Sequence, residues 1–220
     1  MESTTNDRLD DRPTALLLLD AAARLFSEKG YASTSMQEIA DAVGILKGSL
    51  YYYIDSKNDL LARLVEETQS ENLQIVESVR QISGMSALER LRFYVKQQVI
   101  YNARNIDKIR VYYRDITLLP EDRRRTLIED RRGFESLVLD LIEEARESGE
   151  VAKDVQPRMS LLCIYSITNW MHVWYRPGGV FSDEELADGF AEFAISGVVN
   201  SKGREIPSVS LNGLDANGDE

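Results

Sequence analysis

Residues 39–61 read IADAVGILKGSLYYYIDSKNDLL, with two glycines, two lysines and three consecutive tyrosines among apolar helical patterns. Just upstream, Ser35 followed by Glu38 has the pattern of a capping box, in which the serine oxygen and the glutamate carboxylate exchange hydrogen bonds with each other's exposed backbone N–H groups. This opens a short helix whose buried side is Met36, Ile39, Ala40 and Val43. Gly44 closes it, because a positive φ is cheap for glycine, and a second helical segment follows at once from Leu46 to Tyr53. Two short helices joined by so tight a glycine turn make a helix-turn-helix. Ala40 is the small residue where they cross, and Ile39, Val43, Ile45 and Leu50 fill the shared core.

Working outward, Pro13 sits in the first turn of a preceding helix, where its missing N–H is harmless. Leu18, Ala21, Ala22, Leu25 and Phe26 form one apolar stripe on that helix, Gly30 stops it, and Tyr31 is expected to pack back onto it. Ser56 offers an N-cap to a long helix from Lys57 to Ile82 carrying Leu60, Leu61, Leu64 and Val65. Helical patterns continue over 86–102, 108–118, 120–149, 159–175 and 183–199, the last with Asp183, Glu184 and Glu185 in a first turn that favours acids. No strand pattern appears. The expectation is an all-α chain of about nine helices, with a three-helix DNA-binding head over 13–57 and a larger helical body over 58–200 for effector binding and dimerisation. The polar ends, 1–12 and 201–220, read as disordered tails.

Composition narrows the function. With 220 residues, 43% hydrophobic and 29% charged, the chain can bury a core and a pocket. No apolar run approaches the roughly 18 residues of a membrane span, and the start MESTTNDRLDDRP lacks the basic and apolar regions of a secretion signal, so a cytoplasmic protein is expected. One cysteine, Cys163, and one histidine, His172, supply neither an internal disulfide nor a metal site, and no cofactor is implied. A net charge of −11 argues against general coating of nucleic acid. Its distribution matters more: between Arg12 and Lys57, Asp20, Glu28, Glu38, Asp41 and Asp55 are balanced by Arg12, Arg24, Lys29, Lys47 and Lys57. A neutral head on an acidic body can bind DNA through a local surface.

A DNA-binding helix-turn-helix lays its second helix in the major groove. Here the positions not needed for packing are Lys47, Gly48, Ser49, Tyr51, Tyr52 and Tyr53. Lys47 can reach a guanine edge or a phosphate, Gly48 lets the backbone approach, and Ser49 is a small donor or acceptor. Tyrosine hydroxyls bond phosphates while their rings meet thymine methyls. Lys57, Thr34 and Ser35 can add phosphate contacts at neighbouring helix starts. Tyr53, at the edge of the core, serves packing as readily as contact.

The stretch AAARLFSEKGYASTSMQEIADAVGILKGSLYYYIDSKNDLL, residues 21–61, resembles the TetR family of one-component transcriptional repressors. The resemblance implies that Lys47, Ser49, Tyr51 and Tyr52 form the recognition surface and that Lys57 clamps the DNA backbone. Leu46 departs from the family's usual capping Ser or Thr, and Tyr53-Ile54 from its usual His-Phe pair. The family's last two long helices pair into a four-helix dimer interface. In this chain Leu161, Leu162, Tyr165, Phe190, Phe193, Ala194 and Gly197 are the candidates, with an intramolecular core as the competing use. A symmetric dimer would read a palindromic operator.

For an effector, Tyr112, Tyr113, Trp170 and Trp174 supply apolar surface, and Arg114, Arg132, His172 and Arg176 polar anchors. Trp170 and Trp174, one turn apart, would share a helix face. An aromatic pair at that spacing serves a core as well as a pocket. The segments YYRD (112–115), IEDRR (128–132) and WMHVWYRPGG (170–179) resemble TetR members that control lipid and sterol-ring catabolism in response to acyl-CoA thioesters. The alternative is a sensor of hydrophobic drugs. Catalysis finds no support, since Glu143 and Glu144 lie on a charged helix face without a His or Cys partner. An adaptor that binds only proteins is not favoured by Lys47 beside three tyrosines.

Overall fold

A computed structural model describes residues 12–199, excepting the side chains of Arg12, Pro13 and residues 128–132. The expected tails lie outside the described residues, apart from Arg12, which opens α1. The elements are α1 (Arg12–Lys29), α2 (Met36–Val43), α3 (Lys47–Tyr53), α4 (Lys57–Arg80), α5 (Ala87–Arg104), α6 (Ile106–Asp115), a 3-10 turn (Ile116–Leu118), α7 (Glu121–Glu147), α8 (Pro157–Asn169), α9 (Met171–Trp174) and α10 (Asp183–Val199). No described helix is long and apolar enough to cross a membrane.

The head assembles as its sequence dictates. The capping box forms in full, with the Ser35 N–H donating to Glu38 Oε2 at 2.8 Å and the Glu38 N–H to Ser35 Oγ at 3.2 Å. Lys29, at the end of α1, reaches the same carboxylate at 2.6 Å. The lysine hydrogen bond, followed by those of Ser35, holds the Glu38 carboxyl down to about 2. Any stabilisation from this junction is therefore present above the ordinary carboxylate range and is lost as pH falls toward about 2. Gly44 takes the turn at φ +76°, with open space where a Cβ would lie, so its requirement is the backbone's alone. Gly44→Ala is accordingly expected to cost about 1–2 kcal/mol of stability, read from the denaturant midpoint. Tyr31 packs edge-on against Phe26, ring centroids 5.1 Å apart.

Two apolar clusters make the core, and α4 passes from one to the other. The first joins Leu18, Phe26, Ile39, Leu50 and Ile54 of the head to Leu60, Leu61, Leu64 and Val65 of α4, and also to Val111, Leu119 and Leu127 of the body. The second contains Val76 and Val79 of α4 with α5, α7, α8 and α10. Between them, α4 presents Thr68 and Gln69, both buried and polar.

The expected single helix over 159–175 is broken in two at Trp170. Carbonyls that would continue it are taken by side chains instead. Asn102 Nδ2 donates to Thr168 O at 3.1 Å, and His172 Nδ1 bonds Asn169 O at 2.7 Å. Arg110 then fixes the far side of α9 by donating to Tyr175 O at 2.7 Å. The two tryptophans consequently have different neighbours: Trp170 lies against His172, and Trp174 against Tyr175 and Phe190.

Candidate functional site

The outer face of α3 is built by subtraction. Leu50 is fully buried and turns one side of the helix inward, leaving Lys47, Gly48, Ser49, Tyr51 and Tyr52 exposed on the other. Tyr51 is 43% and Tyr52 50% exposed, an unusual amount of aromatic surface for one two-turn helix. Tyr53 is half-buried and packs against the head cluster, with Tyr52 edge-on to it at 5.5 Å. Leu46 occupies the N-cap position and makes no side-chain cap, as its chemistry requires.

Three of the expected DNA-contacting residues have other or additional duties. Thr34 is turned inward, its hydroxyl donating to Gly30 O at 2.9 Å and Leu25 O at 3.2 Å, so it fastens the loop after α1 and does not face solvent. Ser35 is exposed, but its hydroxyl serves the capping box. Lys57 curls back over the same loop: its Nζ donates to Tyr31 O and Thr34 O, each at 2.8 Å, and stands 4.5 Å above the Tyr31 ring. A charged donor spent on several carbonyls positions the head and leaves little for a phosphate. Lys57→Met is expected to lower stability by about 1–3 kcal/mol while leaving the salt slope of DNA binding unchanged. A direct phosphate contact would instead reduce that slope by about 1.

In the body, α4, α5, α6, α7 and α8 line a cavity of about 70 Å³. Its wall is polar but uncharged: Gln69, Asn72, Gln98, Asn102 and Asn169 with the tyrosines 94, 112, 113 and 165, completed by Thr68, Ile109 and Phe134. The carboxamides form a ladder. Gln98 Nε2 donates to Asn72 Oδ1 at 2.6 Å and to Asn102 Oδ1 at 3.0 Å, and Tyr112 OH donates to Gln69 Oε1 at 3.0 Å. Burial pushes the Tyr94 hydroxyl up to about 12, against a smaller opposing effect of its hydrogen bond with Tyr165, so it stays neutral. The cavity lies at the seam between the two apolar clusters.

Of the expected effector residues, Tyr112 and Tyr113 line this cavity. His172 stacks on Tyr113 with centroids 4.8 Å apart, and Trp170 stands behind it, so an aromatic row runs from the cavity wall to the surface. Trp174 is on the far side of α9, toward α10. Arg176 is exposed and donates to Val173 O and Tyr175 O. Arg114 points away from the cavity altogether. It forks onto Asp115 and donates to Phe26 O at 2.6 Å, tying α6 to the negative end of α1. The side chain of Arg132 lies outside the described residues. Tyr165, expected at a dimer interface, belongs to the cavity wall. Sequence reasoning misses the carboxamides, although Gln98 and Asn102 continue the face of Leu91 and Val95 at helical spacing.

A second tie between head and body surrounds Lys108. Its amine meets Glu67 at 2.9 Å and Glu71 and Asp20 at 3.6 Å each. Burial opposes its charge, but the hydrogen bond to Glu67 and the surrounding carboxylates outweigh that and raise its pKa.

The remaining interface candidates divide by face. Leu161 and Ala194 are buried inside the subunit, and Phe190 packs on its core. Leu162 and Phe193 point outward, Phe193 being 68% exposed, beside exposed Met159, Cys163 and Gly197. Together they line an apolar groove of about 780 Å³ along α8 and α10.

Comparison with known proteins agrees with this layout. Residues 18–64 match the family described as bacterial regulatory proteins, tetR family, and residues 84–198 match the tetracyclin repressor-like C-terminal domain. The HTH-type transcriptional repressor KstR2 of Rhodococcus jostii (strain RHA1) is 27% identical over 189 residues, 83% of this chain and 90% of that protein. The TetR family regulator PfmR from Thermus thermophilus superposes with a TM-score of 0.74 at 26% identity, covering 81% of this chain and 96% of that one. AibR in complex with isovaleryl coenzyme A and operator DNA gives 0.70 at 25% identity, over 82% and 97% of the two chains.

Proposed function

As the chain belongs to the TetR family of bacterial regulatory proteins, and is by that membership a transcriptional regulator and not an enzyme, we propose that it is a dimeric repressor that an acyl-CoA thioester releases from a palindromic operator. The observation that carries this reading is the connection between the exposed Lys47–Tyr51–Tyr52 face and the body cavity through one continuous helix, α4.

Two α3 helices must sit one turn of B-DNA apart, about 34–36 Å, to read a palindrome. The outward faces of α8 and α10 supply the self-complementary surface that a two-fold dimer uses. A ligand entering the seam presses on α4 between its two apolar anchorages and tilts the head. It shifts the equilibrium only by as much as it prefers the tilted arrangement.

The cavity wall argues for the ligand's chemistry. A free carboxylate would find no cation among the described lining residues, whereas a thioester carbonyl is neutral and accepts from carboxamides and tyrosine hydroxyls. A bare lipophile would offer those groups no hydrogen bond, which weighs against a drug sensor. AibR, whose solved complex holds isovaleryl coenzyme A and operator DNA, supports the thioester reading by analogy.

The test is titration with short, long and ring-bearing acyl-CoA esters and with the matching free acids, following tryptophan fluorescence, melting temperature and release of a duplex selected from random sequence. Stabilisation and release by thioesters, but not by acids, is the expected result. Response only to unrelated lipophiles would replace this reading with the drug-sensor one.

A further inference from the structure

At about 70 Å³ the cavity is too small for a long or ring-bearing acyl group as it stands, so the protein must widen to admit one. One residue is shared between the cavity and a cleft on the outside. Gln69 lines the inner cavity and also an outer cleft of about 350 Å³ between α4 and α7, whose other walls are Glu66, Ser70, Leu73, Arg123, Thr126 and Leu127. Its carboxamide is held on both sides. Oε1 accepts from Tyr112 OH within the cavity at 3.0 Å, and Nε2 donates to Leu127 O on α7 at 3.0 Å.

We propose that Gln69 is the gate of the effector site and that the α4–α7 cleft is its way in. This rests on the reading of the seam cavity as the effector site. When Gln69 lets go of Leu127 O, α7 can part from α4 along the cleft, and the side chain can swing out of the shared wall, joining cleft and cavity. The Leu127 side chain is part of the cluster that includes the head, so the same separation loosens the head's anchorage on the body. A ligand that enters has its neutral acyl end among the carboxamides and its anionic end in the cleft mouth. There Arg123, now paired with Glu66 at 3.4 Å and well exposed, is the available cation. The competing route is the aromatic row Tyr113–His172–Trp170, which reaches the surface at the other end of the cavity.

The two routes separate without any ligand. In the full chain carrying Cys163→Ser, Ile109→Cys places one buried thiol in the cavity wall, and its reaction with an uncharged disulfide reagent reports opening. Gln69→Met, of similar length but without donor or acceptor, is expected to accelerate labelling about ten- to a hundredfold, the loss of two net hydrogen bonds from the closed state. Trp170→Ala is expected to leave the rate unchanged. Circular dichroism and the melting curve show that each variant is folded, and a rate that tracks the melting temperature across variants would mean that labelling reports global unfolding and would overturn the gate. Acceleration by Trp170→Ala and not by Gln69→Met would move the way in to the aromatic row. The thioester titration is read separately: if labelling behaves as expected and no thioester binds, the gate stands and the identity of the effector falls.

Discussion

Lys47→Ala combined with Tyr52→Ala is expected to reduce operator affinity about 100-fold or more, at one to a few kcal/mol for each DNA interaction removed, while the melting temperature stays within about 2 °C, as for surface substitutions generally. Both side chains are exposed, and Leu50, which holds α3 to the head, is untouched. Fluorescence anisotropy with a labelled duplex at fixed salt reads the affinity. Tyr53→Phe serves as the internal comparison: it keeps the ring that packs on the head cluster and removes only the hydroxyl, so affinity should change little if that ring works chiefly in packing. An unchanged affinity in the double variant would mean that α3 is not the reading helix.

Leu162→Glu with Phe193→Glu is expected to convert the protein from dimer to monomer and, in consequence, to abolish specific operator binding. Both side chains project from the apolar groove of α8 and α10. In a two-fold interface each substitution is felt twice, and four carboxylates buried without partners exceed what a standard interface can supply. The subunit itself should survive, since Leu161 and Ala194, buried on the same helices, are unchanged. Light scattering coupled to size exclusion reads the mass, and far-ultraviolet circular dichroism the helix content. A monomeric wild-type protein would overturn the dimer reading at once.

The head was almost wholly legible in the sequence because each of its signals is local. Ser35 and Glu38 are three residues apart, Gly44 sits on its own turn, and the apolar stripe of α1 repeats within one helix. The body was legible in outline only. Helix ends at Pro120, Pro157 and Gly149 are local signals, and the helices they delimit form. The break at Trp170 depends on Asn102, which is on another helix and reaches Thr168 O across the core. Lys57 and Arg114 illustrate the same limit. A long basic side chain advertises its charge in the sequence, but which carbonyls it meets is decided by the loop or helix end that folding brings beneath it. The seam cavity was half visible: aromatic residues attract notice, whereas glutamine and asparagine at core positions gain their meaning only when several converge.

The position of the head's apolar cluster bears on protein engineering. Recognition heads of this kind invite exchange between regulators, and the obvious cut falls just before Lys57, where the third helix has ended. Such a cut would leave Leu18, Phe26, Ile39 and Leu50 without Leu60, Leu61, Leu64 and Val65, and would also strip away Val111, Leu119 and Leu127. A transplant that respects the cohesion of this chain takes the first half of α4 with the head and matches the recipient at the faces of α6 and α7 that close over it. The unit of exchange is thus larger than the unit of DNA recognition.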